Sequence, residues 1–129
     1  MNRVTLRRIL PALILVVRRT IDRNETKRVT GNLSNHEVVV KYEIENLKDQ
    51  PVTLDVVENV RHIRNEVRGD TGREVDWELG KDTTFAGGPD KAKSTSEQVM
   101  FHVTLPARDA GGKAEKVVQT LHVVLRNEW

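Results

Sequence analysis

The chain has 129 residues, which leaves room for one ordinary domain with one hydrophobic core. Hydrophobic residues make up 37% and charged residues 31% of it, a balance that argues against wholesale disorder. The 21 Lys and Arg against 19 Asp and Glu give a net charge of only +2, so no nucleic-acid partner is expected. The absence of cysteine excludes disulfides and thiolate chemistry, and it fits a cytoplasmic or an envelope protein equally well.

An apolar segment, residues 9–17, lies between Arg7-Arg8 and Arg18-Arg19. Basic residues before an apolar run resemble the start of a secretory signal, but no small-x-small cleavage site follows. The run is also far shorter than the roughly 20 residues that span a bilayer, so we expect no transmembrane segment. Instead, residues 1–19 are predicted to hold an amino-terminal strand that can be exchanged or paired with a partner, and any export signal is expected upstream of residue 1.

The clearest pattern in the chain is a period of two over residues 37–60. Val38, Val40, Tyr42 and Ile44 share one face, while the intervening residues are mostly polar. A polar break at 46–50 precedes Pro51 and a second alternating run. Because only an extended strand turns this period into one buried and one wet face, the segment predicts two antiparallel, mutually paired strands.

Two further alternating runs, 96–106 and 115–126, flank the glycine-containing loop 108–113. This arrangement predicts a second antiparallel hairpin. Trp77, on the same predicted face as Val75 and Leu79, is expected to fill the space between two sheets.

The turn signals between short alternating runs are typical of a sandwich. The predicted fold is an all-β, immunoglobulin-like antiparallel β-sandwich of about seven to eight strands, forming a single domain over residues 1–129. Residues 81–96, which contain Gly87-Gly88-Pro89, are predicted to be a long flexible loop. A short helix within 57–68 is the alternative to a polar connection there, since Val60, Ile63 and Val67 have helical spacing. The predicted strands are 3–9, 12–21, 26–32, 37–46, 52–60, 73–79, 96–106 and 115–126.

The run from Tyr42 to Glu58, YEIENLKDQPVTLDVVE, resembles a pattern in the carboxy-terminal domain of mucoidy-inhibitor-like bacterial proteins. The segments 99–107 and 115–126 are similar to later strands of that domain, and the resemblance covers roughly residues 11–129. It implies an immunoglobulin-like sandwich of unassigned role in envelope or exported proteins. The chain departs from the family in lacking the amino-terminal coiled-coil region and in its section 61–96. The resemblance supplies no catalytic residues.

Few residues suggest chemistry. His102 and His122 would lie opposite each other if the predicted hairpin had the right register, and with Glu97 or Glu128 they could then hold a metal. Surface histidines on strands are nevertheless common. We therefore predict no metal site, no other cofactor and no catalytic residue.

Most carboxylates fall on predicted solvent faces, where they favour solubility over acid–base catalysis. Glu58 is the exception, because it shares a face with Val52, Leu54 and Val56 and is predicted to point inward at a strand end. The other carboxylates in the predicted strands are Glu43, Glu45, Asp55, Asp76 and Glu78.

These observations favour a non-catalytic structural or protein-interaction module, and we expect no enzyme activity. Its expected partners are other protein subunits or a neighbouring domain, engaged by surface complementarity or strand addition. The family resemblance implies a place in a larger cell-envelope or extracellular assembly. A module that binds polysaccharide or nucleic acid is the alternative, although the 4% aromatic content leaves few rings for a sugar-binding face.

Overall fold

The structure, a computed structural model, describes residues 2–4 and 15–128. Within them the elements follow the order β1 (Asn2–Val4), β2 (Leu15–Thr30), β3 (Leu33–Asn46), β4 (Val52–Asn59), α1 (Val60–Arg68), β5 (Trp77–Leu79), β6 (Gln98–Leu105) and β7 (Lys116–Glu128). The prediction of an all-β fold class is confirmed, since strands predominate among the described residues. No helix among the described residues is long and apolar enough to cross a membrane.

The strands form two sheets. One has the order β1-β4-β6 and the other β2-β3-β7-β5. Neighbouring strands are antiparallel, except that β1 and β4 are parallel. The apolar faces of the two sheets share one core, so the architecture is sandwich-like.

The core follows from the two-residue period, because every second side chain of β3, β4, β6 and β7 points between the sheets. At its centre Phe85 stacks on Phe101 with ring centroids 4.2 Å apart and meets Tyr42 edge-on at 5.7 Å. Trp77 contributes less than predicted, since it is only partly buried and packs at the margin with Val75 and Leu79. The other core residues are Val38, Val40, Ile44, Leu54, Val56, Val60, Ile63, Val99, Val103, Leu105, Leu121, Val123 and Leu125.

The helix α1 follows directly from β4 and confirms the helical alternative for 57–68. Asn59 caps its amino terminus, since its side-chain oxygen accepts a hydrogen bond from the His62 amide at 3.0 Å. Val60 and Ile63 are fully buried, as their spacing predicts. The helix ends at Gly69, whose φ of 83° is readily adopted by glycine and whose amide bonds to the Asn65 carbonyl at 2.9 Å.

Both predicted strand pairings are wrong. Strands β3 and β4 lie in opposite sheets, and so do β6 and β7. The polar segment after β3 is an arch between the sheets, in which the buried Asn46 side chain donates to the carbonyls of Gln50 at 2.9 Å and Pro106 at 3.0 Å. The connection from β6 to β7 adjoins it, since the Arg108 amide donates to the Lys48 carbonyl at 2.9 Å. The alternation of apolar and polar residues predicts which face of a strand is buried. It does not predict whether the next strand pairs with it in the same sheet or lies opposite it in the other sheet.

Several predicted boundaries also change. The separate strands 12–21 and 26–32 are one strand, β2, which passes a bulge between Ile21 and Arg23. The strand predicted at 73–79 begins only at Trp77. Residues 1 and 5–14 lie outside the described residues. They include most of the strand predicted at 3–9 and most of the amino-terminal region 1–19.

We name residues 80–97 the strap; it contains the predicted loop 81–96 and has no regular helix or strand. Phe85 anchors it in the core with 5% of its surface exposed. The strap therefore passes from one sheet to the other across the side of the sandwich, and its predicted flexibility stays a prediction.

Candidate functional site: the outer edge of β2

The strap covers the outer edge of β6. The amide of Asp90 donates to the Met100 carbonyl at 2.8 Å, and the amide of Thr95 donates to the Gln98 carbonyl at 2.8 Å. The Ser94 hydroxyl accepts from the Met100 amide at 3.3 Å. These contacts occupy main-chain groups of β6 that an added strand would need.

The strap also extends the protection of β7 beyond the three-residue strand β5. The Gly80 amide donates to the His122 carbonyl at 2.8 Å, and the Thr84 amide donates to the Thr120 carbonyl at 3.0 Å. The Thr84 hydroxyl accepts from the Thr120 amide at 2.9 Å. This side of the second sheet is thus closed by a short strand and a hydrogen-bonded loop.

The opposite side of that sheet is different. Within the described residues, β2 pairs only with β3, although it is 16 residues long. Leu15, Val17 and Ile21 face the core, whereas Val16 on the outer face is 45% exposed. The edge is therefore a long row of main-chain donors and acceptors, interrupted by irregularities between Ile21 and Arg23 and between Arg28 and Thr30, and side chains that pack inward hold it in place.

Beyond the bulge, residues 23–36 form a hairpin arm whose turn uses Gly31 with a φ of 53°. The buried His36 holds this arm: its Nδ1 lies 2.7 Å from the Thr26 hydroxyl, its Nε2 contacts Asn24 Oδ1, and Arg68 Nη1 of α1 lies 3.5 Å from Nδ1. Burial first, and then the nearby Arg68 charge, lower the pKa of His36 below its ordinary value, so the ring is neutral at pH 7. It then accepts from Thr26 and donates to Asn24.

A hydroxyl, an imidazole and an amide in this order also occur in acyl-transfer enzymes. Here all three side chains belong to one hairpin, and Thr26 is exposed on its surface. No oxyanion-binding donors are placed beside that hydroxyl by the contacts described. The cluster therefore stiffens the hairpin arm.

A second polar cluster joins β2 to the other layer. Arg19 Nε lies 2.7 Å from Glu58 Oε1, and its Nη2 lies 2.7 Å from Glu66 Oε1 on α1. The Tyr42 hydroxyl donates to Glu58 at 2.6 Å. Glu58 is 4% exposed, which confirms that it points inward.

The charged groups of this cluster shift the pKa values of their neighbours. Burial acts to lower the pKa of Arg19, but the hydrogen bonds to Glu66 and Glu58 outweigh it and place that pKa above its ordinary value. Burial first, and then the Glu58 charge, raise the pKa of Tyr42. The cluster therefore keeps a charged Arg19 and a neutral Tyr42, and it links β2 to β4 of the other sheet and to α1.

The end of β7 is attached to α1 by buried charges. Arg64 has no exposed surface, and its Nη2 donates to the Arg73 carbonyl at 2.7 Å. Its Nη1 lies 3.9 Å from Glu128 Oε1, and Arg68 Nε lies 3.4 Å from the same oxygen. An arginine is an unexpected residue on the buried face of a helix, and these partners, with Asn65 Oδ1 at 3.2 Å from its Nε, offset the burial of its charge.

The predicted neighbourhood of His102 and His122 is wrong, because the two side chains belong to different sheets. His102 is opposite Asp55, and His122 is opposite Val39. His122 Nε2 lies 2.8 Å from Glu37 Oε1, beneath the strap. Among the described residues, no group of three or more His, Asp or Glu side chains could hold a metal ion.

One carboxylate on a predicted solvent face is nevertheless buried. Asp55 is only 8% exposed on the outer face of its sheet, where it accepts a hydrogen bond from His102. Asp76 and Glu78 are exposed as expected and pair with Arg126 at 2.7 and 3.6 Å. The other two, Glu43 and Glu45, are half-buried on the outer face of β3.

The sequence does not predict the contact between His102 and Asp90, because the two residues lie on different elements. The turn around Pro89 marked a loop but gave no sign of where that loop docks. A depression of about 550 Å³ at the arches is lined by loop residues and contains none of these clusters; its lining is Asp49 and residues 108–112.

Comparisons of the chain with protein-family models, with curated proteins and with solved structures find no match.

Proposed function

We propose that this chain is a non-catalytic, immunoglobulin-like interaction module that binds an extended segment of another polypeptide along the outer edge of β2. The observation that carries the proposal is the 16-residue strand that, within the described residues, is hydrogen-bonded on one side only. An added strand gains main-chain hydrogen bonds along such an edge without needing special side chains. The partner is another subunit or a neighbouring domain.

The charges of β2 indicate the kind of strand that fits. On this strand Arg18 and Arg28 are exposed, whereas Arg19, Arg23 and Lys27 pair with Glu58, Asp82 and Glu37. Opposite charges directly across a sheet stabilise pairing, and like charges oppose it. A partner strand, from a second copy of the chain or from another protein, that places Asp or Glu opposite Arg18 or Arg28 is therefore favoured.

The aromatic residues favour a protein partner over a polysaccharide. Tyr42, Phe85 and Phe101 are in the core, and the Trp77 ring donates to the Ser96 carbonyl at 2.7 Å. None of these four rings forms a broad exposed platform of the kind that stacks on sugars or bases. The family resemblance supports an envelope or extracellular assembly as the setting of the interaction.

Substitution Asp22→Pro tests the use of the β2 edge. Asp22 is the exposed bulge residue and has no partner in β3, so proline should be tolerated by the fold while disturbing an added strand. We expect light scattering to show a mass that rises with concentration for the unaltered chain and for Asp22→Asn, but not for Asp22→Pro.

Denaturant unfolding serves as the control, and the two variants should differ by less than about 1 kcal/mol in free energy of unfolding. A chain that remains monomeric at every concentration contradicts strand addition. So does an assembly that is unaffected by Asp22→Pro.

A further inference from the structure

Besides its contacts with the edge of β6, the strap is joined to the outer face of the β1-β4-β6 sheet by the imidazole of His102. His102 Nδ1 lies 2.8 Å from Asp55 Oδ1, and Nε2 lies 2.7 Å from Asp90 Oδ2. An ionised carboxylate only accepts hydrogen bonds, so both ring nitrogens must donate. The arrangement therefore requires the protonated, positively charged ring.

The charged surroundings of His102 are simple. Asp55 faces it from β4 and Asp90 from the strap, where Lys91 and Lys93 are exposed. On β6 itself the neighbouring residues of this face, Met100 and Thr104, are uncharged. In the register of the sheet, β1 places Arg3 opposite Asp55.

The pKa shifts of His102 and Asp90 agree with this geometry. Hydrogen bonds first to Asp90 and then to Asp55 raise the pKa of His102 above its ordinary value of 6.5. The hydrogen bond to His102 is the main cause that lowers the pKa of Asp90 below its ordinary value of 3.8. Each group thus favours the charged form of the other.

Loss of the His102 proton leaves one N–H for two carboxylates. Asp55 is 8% exposed and fixed within a paired strand, so leaving it without a donor would be costly. The Asp90 side chain is more exposed, and it belongs to the strap. The hydrogen bond to Asp90 is consequently the one that breaks.

We propose that His102 is a pH-operated latch, which fastens the strap over the edge of β6 when the ring is protonated and releases it when the ring is neutral. This regulation goes beyond the proposed use of β2, because it concerns a second sheet edge. Since the His102 pKa is raised on folding, the latch contributes fully below pH 6.5 and is lost as the pH rises through the folded-state pKa. On the acidic side it persists below pH 3.8 until Asp90 is protonated.

Amide hydrogen exchange of the full chain tests the latch. The amides of Asp90 and Thr95 are the reporters, since both donate to β6. After correction for intrinsic rates, we expect their protection to fall about threefold to tenfold as the pH rises through the His102 pKa, a range set by one charge-assisted but partly exposed hydrogen bond.

Two variants separate this mechanism from general loosening. His102→Gln should give low protection that does not depend on pH. Asp90→Asn should remove most of the dependence, because its uncharged carboxamide can accept from the protonated ring through Oδ1 and can donate to the neutral ring through Nδ2. Asp109→Asn, which alters a carboxylate with similar turn contacts and no histidine partner, should behave like the unaltered chain.

Protection that is constant with pH in the unaltered chain overturns the latch. It is equally overturned if His102→Gln keeps the fall in protection, or if Asp90→Asn keeps the full fall of the unaltered chain. None of these three results bears on Asp22→Pro, so the failure of the latch is distinguishable from the failure of strand addition.

Discussion

Gly80 shows how one missing side-chain atom positions a buried histidine. A Cβ at Gly80 would lie 2.1 Å from Nδ1 of His122, so the ring can lie there only because this residue is glycine. The ring bonds to Glu37 on one side and accepts from the Asp82 amide at 3.2 Å on the other. The glycine thus allows the strap to approach β7 closely.

We expect Gly80→Ala to destabilise the fold by about 1–3 kcal/mol, because the methyl group must displace the His122 ring or the strap. Urea denaturation measures the change. Gly111→Ala is the matched control, since its Cβ would meet only an Asp109 side-chain oxygen at 3.4 Å. Equal stabilities of the two variants would show that the strap yields without cost.

The helix α1 illustrates how an element depends on both local and tertiary signals. Its apolar spacing predicts the helix from the sequence, and the structure adds the Asn59 cap. The burial of Arg64 is not predicted, because its partners Arg73 and Glu128 come from other parts of the chain. A local pattern therefore predicts that a helix exists, while its buried polar contacts require the assembled fold.

Asn59→Ala should lower the free energy of unfolding by about 1 kcal/mol, the usual effect of losing a side-chain cap. Asn59→Ser keeps an acceptor for the His62 amide and should retain most of the stability. Thermal or denaturant unfolding followed by circular dichroism compares the two. A cap that does not matter would leave alanine and serine indistinguishable.

The strap is the element that local pattern describes least well. Its Gly-Gly-Pro segment correctly indicates an irregular connection, and nothing nearby shows that Phe85 enters the core. Its residues Asp90 and Thr84 meet His102 on β6 and Thr120 on β7, which are 12 and 36 residues away along the chain. Contacts of such separation are decided only when the two sheets come together.

The two sheets share one core. Because residues 1–129 are predicted to form a single domain, we expect the chain to unfold in one cooperative transition. Phe85→Ala should lower the free energy of unfolding by about 3–5 kcal/mol, because it removes the ring stacked on Phe101 and leaves a cavity. Val118→Ala, at a site 46% exposed, should change it by less than about 0.5 kcal/mol. Coincident unfolding curves from circular dichroism and tryptophan fluorescence would agree with one domain; separate curves would contradict it.

From residue order alone, one can assign extended segments, the inward face of each and the inward direction of Glu58, because alternation is a local consequence of strand geometry. The tertiary structure decides which strands and side chains are neighbours. Strand β3 faces β4 instead of pairing with it, and His102 meets Asp55 and Asp90 instead of His122. The tertiary structure also leaves β2, within the described residues, with one bonded edge. Strand order depends on how two apolar faces and their connecting arches fit together, and the period of a single strand is the same for every such arrangement.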